Sequence, residues 1–280
     1  MLKVARTVAE VRAFRRELAK QGKTLALVPT MGFLHEGHLS LFREAARHAD
    51  VVAASLFVNP TQFGPNEDLS SYPRDEKGDF AKMEKEGVSI VFAPAPQEVY
   101  PEGEETRVEV TGITQGLCGK TRPGHFRGVT TVVMKLFHIF QPDAAVFGEK
   151  DYQQLMVIRR MVKDMFMDIR IIGAPLVREA DGLALSSRNS YLSAEDRKNA
   201  LGLSMALKAV REAAQSGTKD VKALHDIGSA VLAGHHLKED YLEIVDAETL
   251  RAVEVIGDRP VRALAAAYCG KVRLIDNMAV

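Results

Sequence analysis

The sequence contains no tryptophan, two cysteines among 280 residues, and aromatic residues at 6%. Cys118 and Cys269 lie far apart with no CxxC partner, so a disulfide framework is not expected and a reducing cytoplasm fits best. Neither sign of charge is in excess: 37 Lys+Arg offset 37 Asp+Glu, which provides no overall field for nucleic acid or an anionic membrane. Any anionic ligand must then be held by local groups. No apolar run approaches the roughly 18 residues of a membrane span, and residues 1–20 alternate charge with apolar positions, unlike a signal peptide. Several motifs are also missing. No GxGxxG follows a strand, which leaves a nicotinamide or flavin enzyme without support. Gly119-Lys120-Thr121 matches the end of a P-loop, but Thr114 stands where its first glycine is required. His35-Glu36-Gly37-His38-Leu39 is not HExxH, so a zinc site lacks its ligands.

What is present suffices for a full core: 46% of residues are hydrophobic and 26% charged, with room for one large or two moderate domains. Thr7, followed three residues later by Glu10, predicts a capping box. Val8, Val11, Phe14 and Leu18 continue at helical spacing until Gly22 closes the helix. A strand is expected at 25–28, stopped by Pro29, then a glycine-containing loop at 30–37 and a helix to about 49. Strands at 51–58, 88–92, 144–147 and 169–172 alternate with helices at about 75–86, 129–140 and 151–165. Such alternation implies parallel βαβ units. Past Pro175 the pattern changes to helices at about 194–214 and 221–233, then strands at 241–245, 261–267 and 272–275. The expected fold class is therefore α/β: a Rossmann-like doubly wound parallel sheet over residues 1–175, followed by a smaller C-terminal α+β domain over 176–280. No internal repeat or low-complexity stretch is visible.

Four segments carry candidate chemistry. Residues 29–38, Pro-Thr-Met-Gly-Phe-Leu-His-Glu-Gly-His, lead from the end of a strand into a helix, where a doubly wound sheet binds its ligand. Free N–H groups and the positive end of the helix dipole face an anion there, and His35 and His38 project from one side of the first turn. A polyphosphate is the natural guest, although an isolated His pair at this spacing more often caps a turn. Residues 147–154 occupy a second such junction. Gly148 lets backbone approach a ligand, Lys150 offers a point charge to phosphate, and Gln154 presents an amide that both donates and accepts. The hydroxyls of Ser186 and Ser187 and the guanidinium of Arg188 suit phosphate oxygens, in a loop beside the domain boundary that can close over a ligand. Asn59 and Gln62, among apolar residues, fit a small polar organic substrate. Each string alone also reads as ordinary loop composition.

Taken in order, PTMGFLHEGH, SLFVNPTQF, Tyr72-Pro73-Arg74, RPGHFRGV at 122–129, FGEKDYQQL and DGLALSSRN at 181–189 resemble the pantothenate synthetase family, the pantoate:β-alanine ligases. Arg273-Leu274-Ile275-Asp276-Asn277 continues the likeness near the C-terminus. Several motifs in register are far more specific than any one.

The resemblance implies a nucleotidyltransferase-type Rossmann domain, a smaller C-terminal domain closing over the active site, and a cytoplasmic homodimer. It implies a reaction in which ATP, pantoate and β-alanine give AMP, pyrophosphate and pantothenate through a pantoyl-adenylate. By matching motifs it implies that Met31, Gly32, Phe33, Leu34, His35, Glu36, Gly37 and His38 hold ATP, with both histidines at the phosphates. It extends the ATP contacts to Gly148, Glu149, Lys150, Asp151, Val177, Leu185, Ser186, Ser187 and Arg188. Gln62 and Gln154 are matched to pantoate, and Gln62 also to β-alanine. His38, His35, Lys150 and Arg188 are then the catalytic candidates. Magnesium is expected to arrive with ATP. Where some members carry an acidic metal-binding stretch this chain reads Lys77-Gly78-Asp79, which leaves Asp79 as the candidate ligand there. The apolar helix at 129–140 is a candidate dimer surface. A nucleotidyltransferase that leaves the nucleotide on its product is the rival for a His-x-Gly-His loop, and a sensing or scaffolding protein without turnover is the alternative of another class.

Overall fold

Thr7 caps the first helix as its sequence predicts: its side chain accepts from the Glu10 N–H while Glu10 reaches back to the Thr7 N–H. A computed structural model describes residues 1–65 and 67–280. The chain opens with β1 (Lys3–Ala5), α1 (Val8–Lys20), β2 (Leu25–Thr30), α2 (Glu36–Ala45) and β3 (Val51–Leu56). It continues with α3 (Glu76–Lys85), β4 (Ile90–Phe92), α4 (Pro96–Val99), α5 (Cys118–Thr121), α6 (His125–Phe140) and β5 (Ala144–Gly148). After α7 (Tyr152–Asp164) and β6 (Arg170–Ala174) come α8 (Ala194–Asn199), α9 (Leu201–Gln215) and α10 (Val221–Gly234). The last three strands are β7 (Lys238–Asp246), β8 (Val261–Cys269) and β9 (Val272–Ala279). Two compact units result: Met1–Thr111 with Arg122–Glu149 and Val157–Pro175, and Gly112–Thr121 with Lys150–Met156 and Leu176–Val280.

The first unit is a six-stranded sheet in the order β1-β4-β3-β2-β5-β6, with every pair parallel. Parallel strands need crossovers that cover both faces, which is why β2 and β3 read as nearly continuous apolar runs. One face buries Ala26, Val28, Phe42, Ala45, Val52, Met83 and Val146 against α2 and α3. On the other, Phe140 of α6 stands edge-on to Phe92, and Phe137 to Phe147. Twelve residues of α6 are buried within the chain, so its apolar run serves this core and is not free to form a dimer surface.

Several boundaries differ from the sequence expectation. The strand expected to stop at Pro29 runs on to Thr30. Here β2 pairs with β5 only at Ala26 and Leu27 but with β3 as far as Thr30, so Pro29 falls where the strand has a single neighbour and a missing N–H is tolerated. The helix expected from 129 begins at His125, because the apolar run marks only its most buried stretch. The edge strand β1 and the short α4 and α5 carry too little periodicity to be read.

In the second unit, β7, β8 and β9 form an antiparallel sheet. Leu203, Leu207 and Val210 of α9 and Leu224 of α10 bury one face of it with Leu242, Ile244, Ala265 and Leu274. The helix expected at 194–214 is interrupted at Ala200, where the Asp196 carbonyl accepts from both the Ala200 N–H and the Cys269 thiol. Gly119-Lys120-Thr121 lies in α5 rather than in a strand-to-helix phosphate loop. Among the described residues no helix is long and apolar enough to cross a membrane.

Candidate active site

Strand order decides where a ligand can sit. From β2 the chain moves outward through β3 and β4, then returns to the other side of β2 as β5. The carboxyl ends of β2 and β5 thus flank the point at which the winding reverses, where doubly wound sheets open a crevice. The loop at 31–35 leaves β2 at this edge. Gly148 ends β5, and the turn Glu149–Asp151 with Lys150 follows in the chain.

The loop after β2 is held in a special conformation by a carboxylate. Gly32 has φ +89° and Phe33 φ +52°, both left-handed. A Cβ on Gly32 would lie 3.0 Å from Asp79 Oδ2 and 3.3 Å from Leu56 Cδ1, so glycine meets both a torsional and a steric demand. Asp79, in the first turn of α3 and 1% exposed, accepts from the Phe33 N–H at 2.8 Å and from the Leu34 N–H at 2.8 Å. Lys82, one turn along, donates to the Leu34 carbonyl at 2.8 Å. Burial pushes the Asp79 carboxyl above its usual range, and the two N–H bonds and Lys82 offset this only in part. With both oxygens engaged and almost no exposure, Asp79 anchors the loop and does not fit the metal-ligand role read from its position in the sequence.

Beyond that loop His35 is the N-cap of α2, with Glu36, Gly37 and His38 forming its first turn. The two imidazoles lie against each other at 4.1 Å between centroids, their planes tilted by 46°. The His35 N–H donates to His38 Nδ1 at 3.3 Å, which requires that nitrogen to be unprotonated and leaves the His38 ring proton on Nε2. The helix N-terminus and two rings therefore occur together, as an anion site requires. Glu36 is exposed and ion-paired with Arg43.

Gln62 stands beside this loop, its Nε2 3.1 Å from Met31 Sδ. Its orientation is set by Asn59, which is 1% exposed and donates from Nδ2 to Gln62 Oε1 and to the Gly128 carbonyl, both at 3.1 Å. The Asn59 Oδ1 accepts from the Thr61 hydroxyl and from Tyr100 Oη at 2.8 Å, so every polar atom of this buried amide is satisfied. Because Asn59 presents a donor, Gln62 must offer it the carbonyl end, which leaves the Gln62 amide nitrogen turned toward Met31. The Gln62 backbone carbonyl lies 2.9 Å from His125 Nδ1, while His125 Nε2 lies 3.1 Å from Arg122 Nη1. Arg122 forks onto Glu67 at 2.6 Å through each of two nitrogens. Burial raises the Glu67 carboxyl, but the bonds and charge of Arg122 outweigh it and hold the group below its ordinary range.

In the second unit, Lys150 is 22% exposed with Nζ 3.8 Å from Asp151. Gln154 is half-buried on α7. Its neighbour Gln153 is buried and entirely engaged in structure: its Oε1 accepts from the Cys118 N–H, and its Nε2 donates to the Ile113 and Gly116 carbonyls. Val177 and Leu185 face each other across a tight reversal, where Leu185 N–H donates to the Val177 carbonyl at 3.1 Å. Ser186 caps the turn Ser187–Tyr191 by accepting from the Arg188 N–H at 3.3 Å. Arg178, between Val177 and Ser186, grips Asp276 through two bonds of 2.6 and 2.8 Å. The structure thus gathers Met31 to His38 with Gln62 in one unit, and Val177 with Leu185 to Arg188 in the other. Sequence reading passed over Asp79 as the loop anchor, Asn59 as the Gln62 orienter and the Asp276-Asn277 pair. The one local signal for these is a polar residue at a position that its helix or strand buries.

Comparison with known proteins bears on what such an arrangement does. The sequence model of the pantoate-beta-alanine ligase family matches residues 3–279. The pantothenate synthetase of Myxococcus xanthus is 56% identical over 277 residues, spanning 98% of this chain and 95% of that one. That of Geobacter sulfurreducens is 50% identical over 279 residues, spanning 99% and 98%. Among solved structures, pantothenate synthetase from Thermus thermophilus superposes with a TM-score of 0.93 at 48% identity, covering 99% of this chain and 98% of that one. A pantoate-beta-alanine ligase from Francisella tularensis, complexed with beta-gamma ATP and beta-alanine, superposes with a TM-score of 0.83 at 36% identity, covering 100% and 98%.

Proposed function

The chain belongs to the pantoate-β-alanine ligase family, and from that premise we propose how its residues divide the work. It is an AMP-forming ligase of the nucleotidyltransferase-type α/β fold that joins pantoate to β-alanine at the expense of ATP, through an adenylate. A pantoate carboxylate oxygen attacks the α-phosphorus of ATP, the bond to the bridging oxygen breaks, and pyrophosphate leaves. The β-alanine amine then attacks the acyl carbon of pantoyl-adenylate, AMP departs with the acyl C–O electron pair, and the amine loses its proton. The first step needs no covalent catalyst, since a carboxylate is nucleophile enough. Its barrier falls through alignment, which can supply roughly 7–11 kcal/mol, and through donors fixed on the leaving phosphates.

In this reading Met31 to His38 hold ATP, with the α2 N-terminus and His38 Nε2–H at the phosphates and His35 beside them. Gln62, its carbonyl end committed to Asn59, takes pantoate through the amide nitrogen that otherwise makes only a weak bond to Met31 Sδ, and meets β-alanine as that substrate enters. Gln154 is the second pantoate contact. Gly148 to Asp151, Val177 and Leu185 to Arg188 complete the nucleotide contacts, with Lys150 and Arg188 bearing the charge that develops on pyrophosphate. The observation that carries the reading is the Asp79-anchored loop with its left-handed Gly32 and Phe33, which delivers the α2 N-terminus and two imidazoles to the carboxyl end of β2 beside an amide of fixed orientation.

Magnesium belongs to the proposal as a companion of ATP. Both Asp79 oxygens are occupied, and no group of three or more His, Cys, Asp or Glu among the described residues forms a metal cage. An ion held by protein side chains alone therefore has no cage here, and phosphate oxygens are its natural ligands. A cytoplasmic location, which two cysteines without a disulfide suit, is also part of the reading, as is a homodimer, which rests on the family likeness alone. The test is pyrophosphate exchange into ATP with pantoate present and β-alanine absent. Exchange that depends on pantoate is expected, and its absence in an enzyme that still makes pantothenate contradicts the adenylation step as drawn.

A further inference from the structure

Asn277 lies inside β9, 5% exposed, in a strand whose neighbours Leu274, Ile275 and Met278 are apolar. A buried amide at such a place destabilises the strand unless both of its ends are bonded. Here both are. Arg262 on β8 donates to Asn277 Oδ1 at 2.6 Å, and Asn277 Nδ2 donates to the main-chain carbonyl of Lys150 at 3.0 Å, across 127 residues of sequence. The same Arg262 places its guanidinium 3.9 Å from the centroid of the Tyr152 ring, and Tyr152 Oη donates to the Ala247 carbonyl at 3.0 Å. Residues 150 and 152 are thereby tethered on either side of Asp151, while the Lys150 side chain stays 22% exposed. Strand alternation sends Asp276 to the opposite face from Asn277. There its carboxylate, 3% exposed, takes both nitrogens of the Arg178 fork, which ties down the reversal bearing Val177 and Leu185. One dipeptide of the last strand thus holds two segments of the second unit that are proposed above to contact the nucleotide.

We infer that Asn277 is a positioning residue for the adenylation step, fixing the main-chain direction at Lys150 so that its ammonium is aimed before ATP arrives. This rests on the assignment of Lys150 to the ATP phosphates. An amide in this role cannot be replaced by its isosteric acid: Asn277→Asp keeps an acceptor for Arg262 but turns an oxygen toward the Lys150 carbonyl. The expected result is a loss of up to about 100-fold in pantoate-dependent pyrophosphate exchange, of the size that a displacement near 1 Å causes, with an unchanged circular dichroism spectrum and a melting temperature lowered by several degrees at most. Asn277→Ala, which adds no charge, is expected to lose activity in the same way and serves if the acid variant folds poorly. The decisive readout is a double-mutant cycle with Lys150→Ala. If Asn277 acts through Lys150, its substitution costs nothing further once the ammonium is gone. Full additivity of the two losses in a crippled Lys150→Ala enzyme overturns the inference alone, as does native exchange in both Asn277 variants. Near wild-type exchange in Lys150→Ala removes the assignment of Lys150, and the inference falls with it.

Discussion

Gly128 lies within α6 at an ordinary helical φ, where replacing glycine by alanine normally stabilises a helix by about 1 kcal/mol. The structure reverses that sign. A Cβ there would stand 2.4 Å from the Thr61 carbonyl oxygen and 2.6 Å from Gln62 Cα, against a comfortable separation of about 3.5 Å, so the turn bearing Gln62 must retreat by roughly 1 Å. Overpacking of this kind costs about 1–3 kcal/mol. Disturbing the bond from Asn59 to the Gly128 carbonyl adds about 1 kcal/mol. After subtraction of the helix gain, Gly128→Ala is expected to lose about 1–3 kcal/mol and several degrees of melting temperature, at roughly 2–4 °C per kcal/mol for a chain of this size. Because the displaced turn carries the proposed pantoate amide, kcat/KM for pantoate should fall by up to about 100-fold. Calorimetry and steady-state kinetics measure the two effects. Gly234→Ala is the control, since nothing lies within 4 Å of a Cβ at that helix end, and it should be neutral or stabilising. A Gly128→Ala enzyme with a raised melting temperature and unchanged kcat/KM would refute the close approach of α6 to the Gln62 turn.

Replacing the proposed phosphate contacts, as Lys150→Ala or His38→Ala, should each lower pantoate-dependent exchange by about 100- to 1,000-fold with an unchanged circular dichroism spectrum. Retention of near-native exchange by either variant removes that residue from the site. Asp79→Asn keeps one acceptor but sets an NH₂ group against the Phe33 or Leu34 N–H, and should cost about 1–3 kcal/mol in urea unfolding while raising KM for ATP. Native values of both would show that the loop holds its shape without the carboxylate. Glu67, held below its ordinary 4.5 by Arg122, contributes stability that is fully present above pH 4.5 and is lost as pH falls through its lower, folded value. Glu67→Gln should therefore flatten the acid limb of the urea midpoint against pH, and an identical acid limb in both proteins speaks against the pair.

Much of the first unit is legible in the amino-acid sequence. Helix caps, apolar periodicity and the placing of glycine act over a few residues, so Thr7 with Glu10 can be read directly and the βαβ alternation follows from pattern alone. The candidate loop after β2 is legible for the same reason: it is one continuous string at a strand end. The roles of its supports are not. Asp79 reaches Phe33 across 46 residues, and a carboxylate in the first turn of a polar helix looks like any dipole-complementing surface acid. Its burial follows only when α3 packs beside that loop.

Residue order is enough to establish the fold class, the succession of elements, the strings that carry the chemistry and the family to which they belong. Packing in three dimensions is what places Pro29 inside a strand, turns Asp79 toward backbone rather than metal, spends α6 on the core and makes Asn277 answer to Lys150. The difference is one of range. Propensity, capping and periodicity are set by neighbours along the chain, whereas the partner of a buried polar group is chosen by strand order and packing, which bring together residues that no local pattern connects.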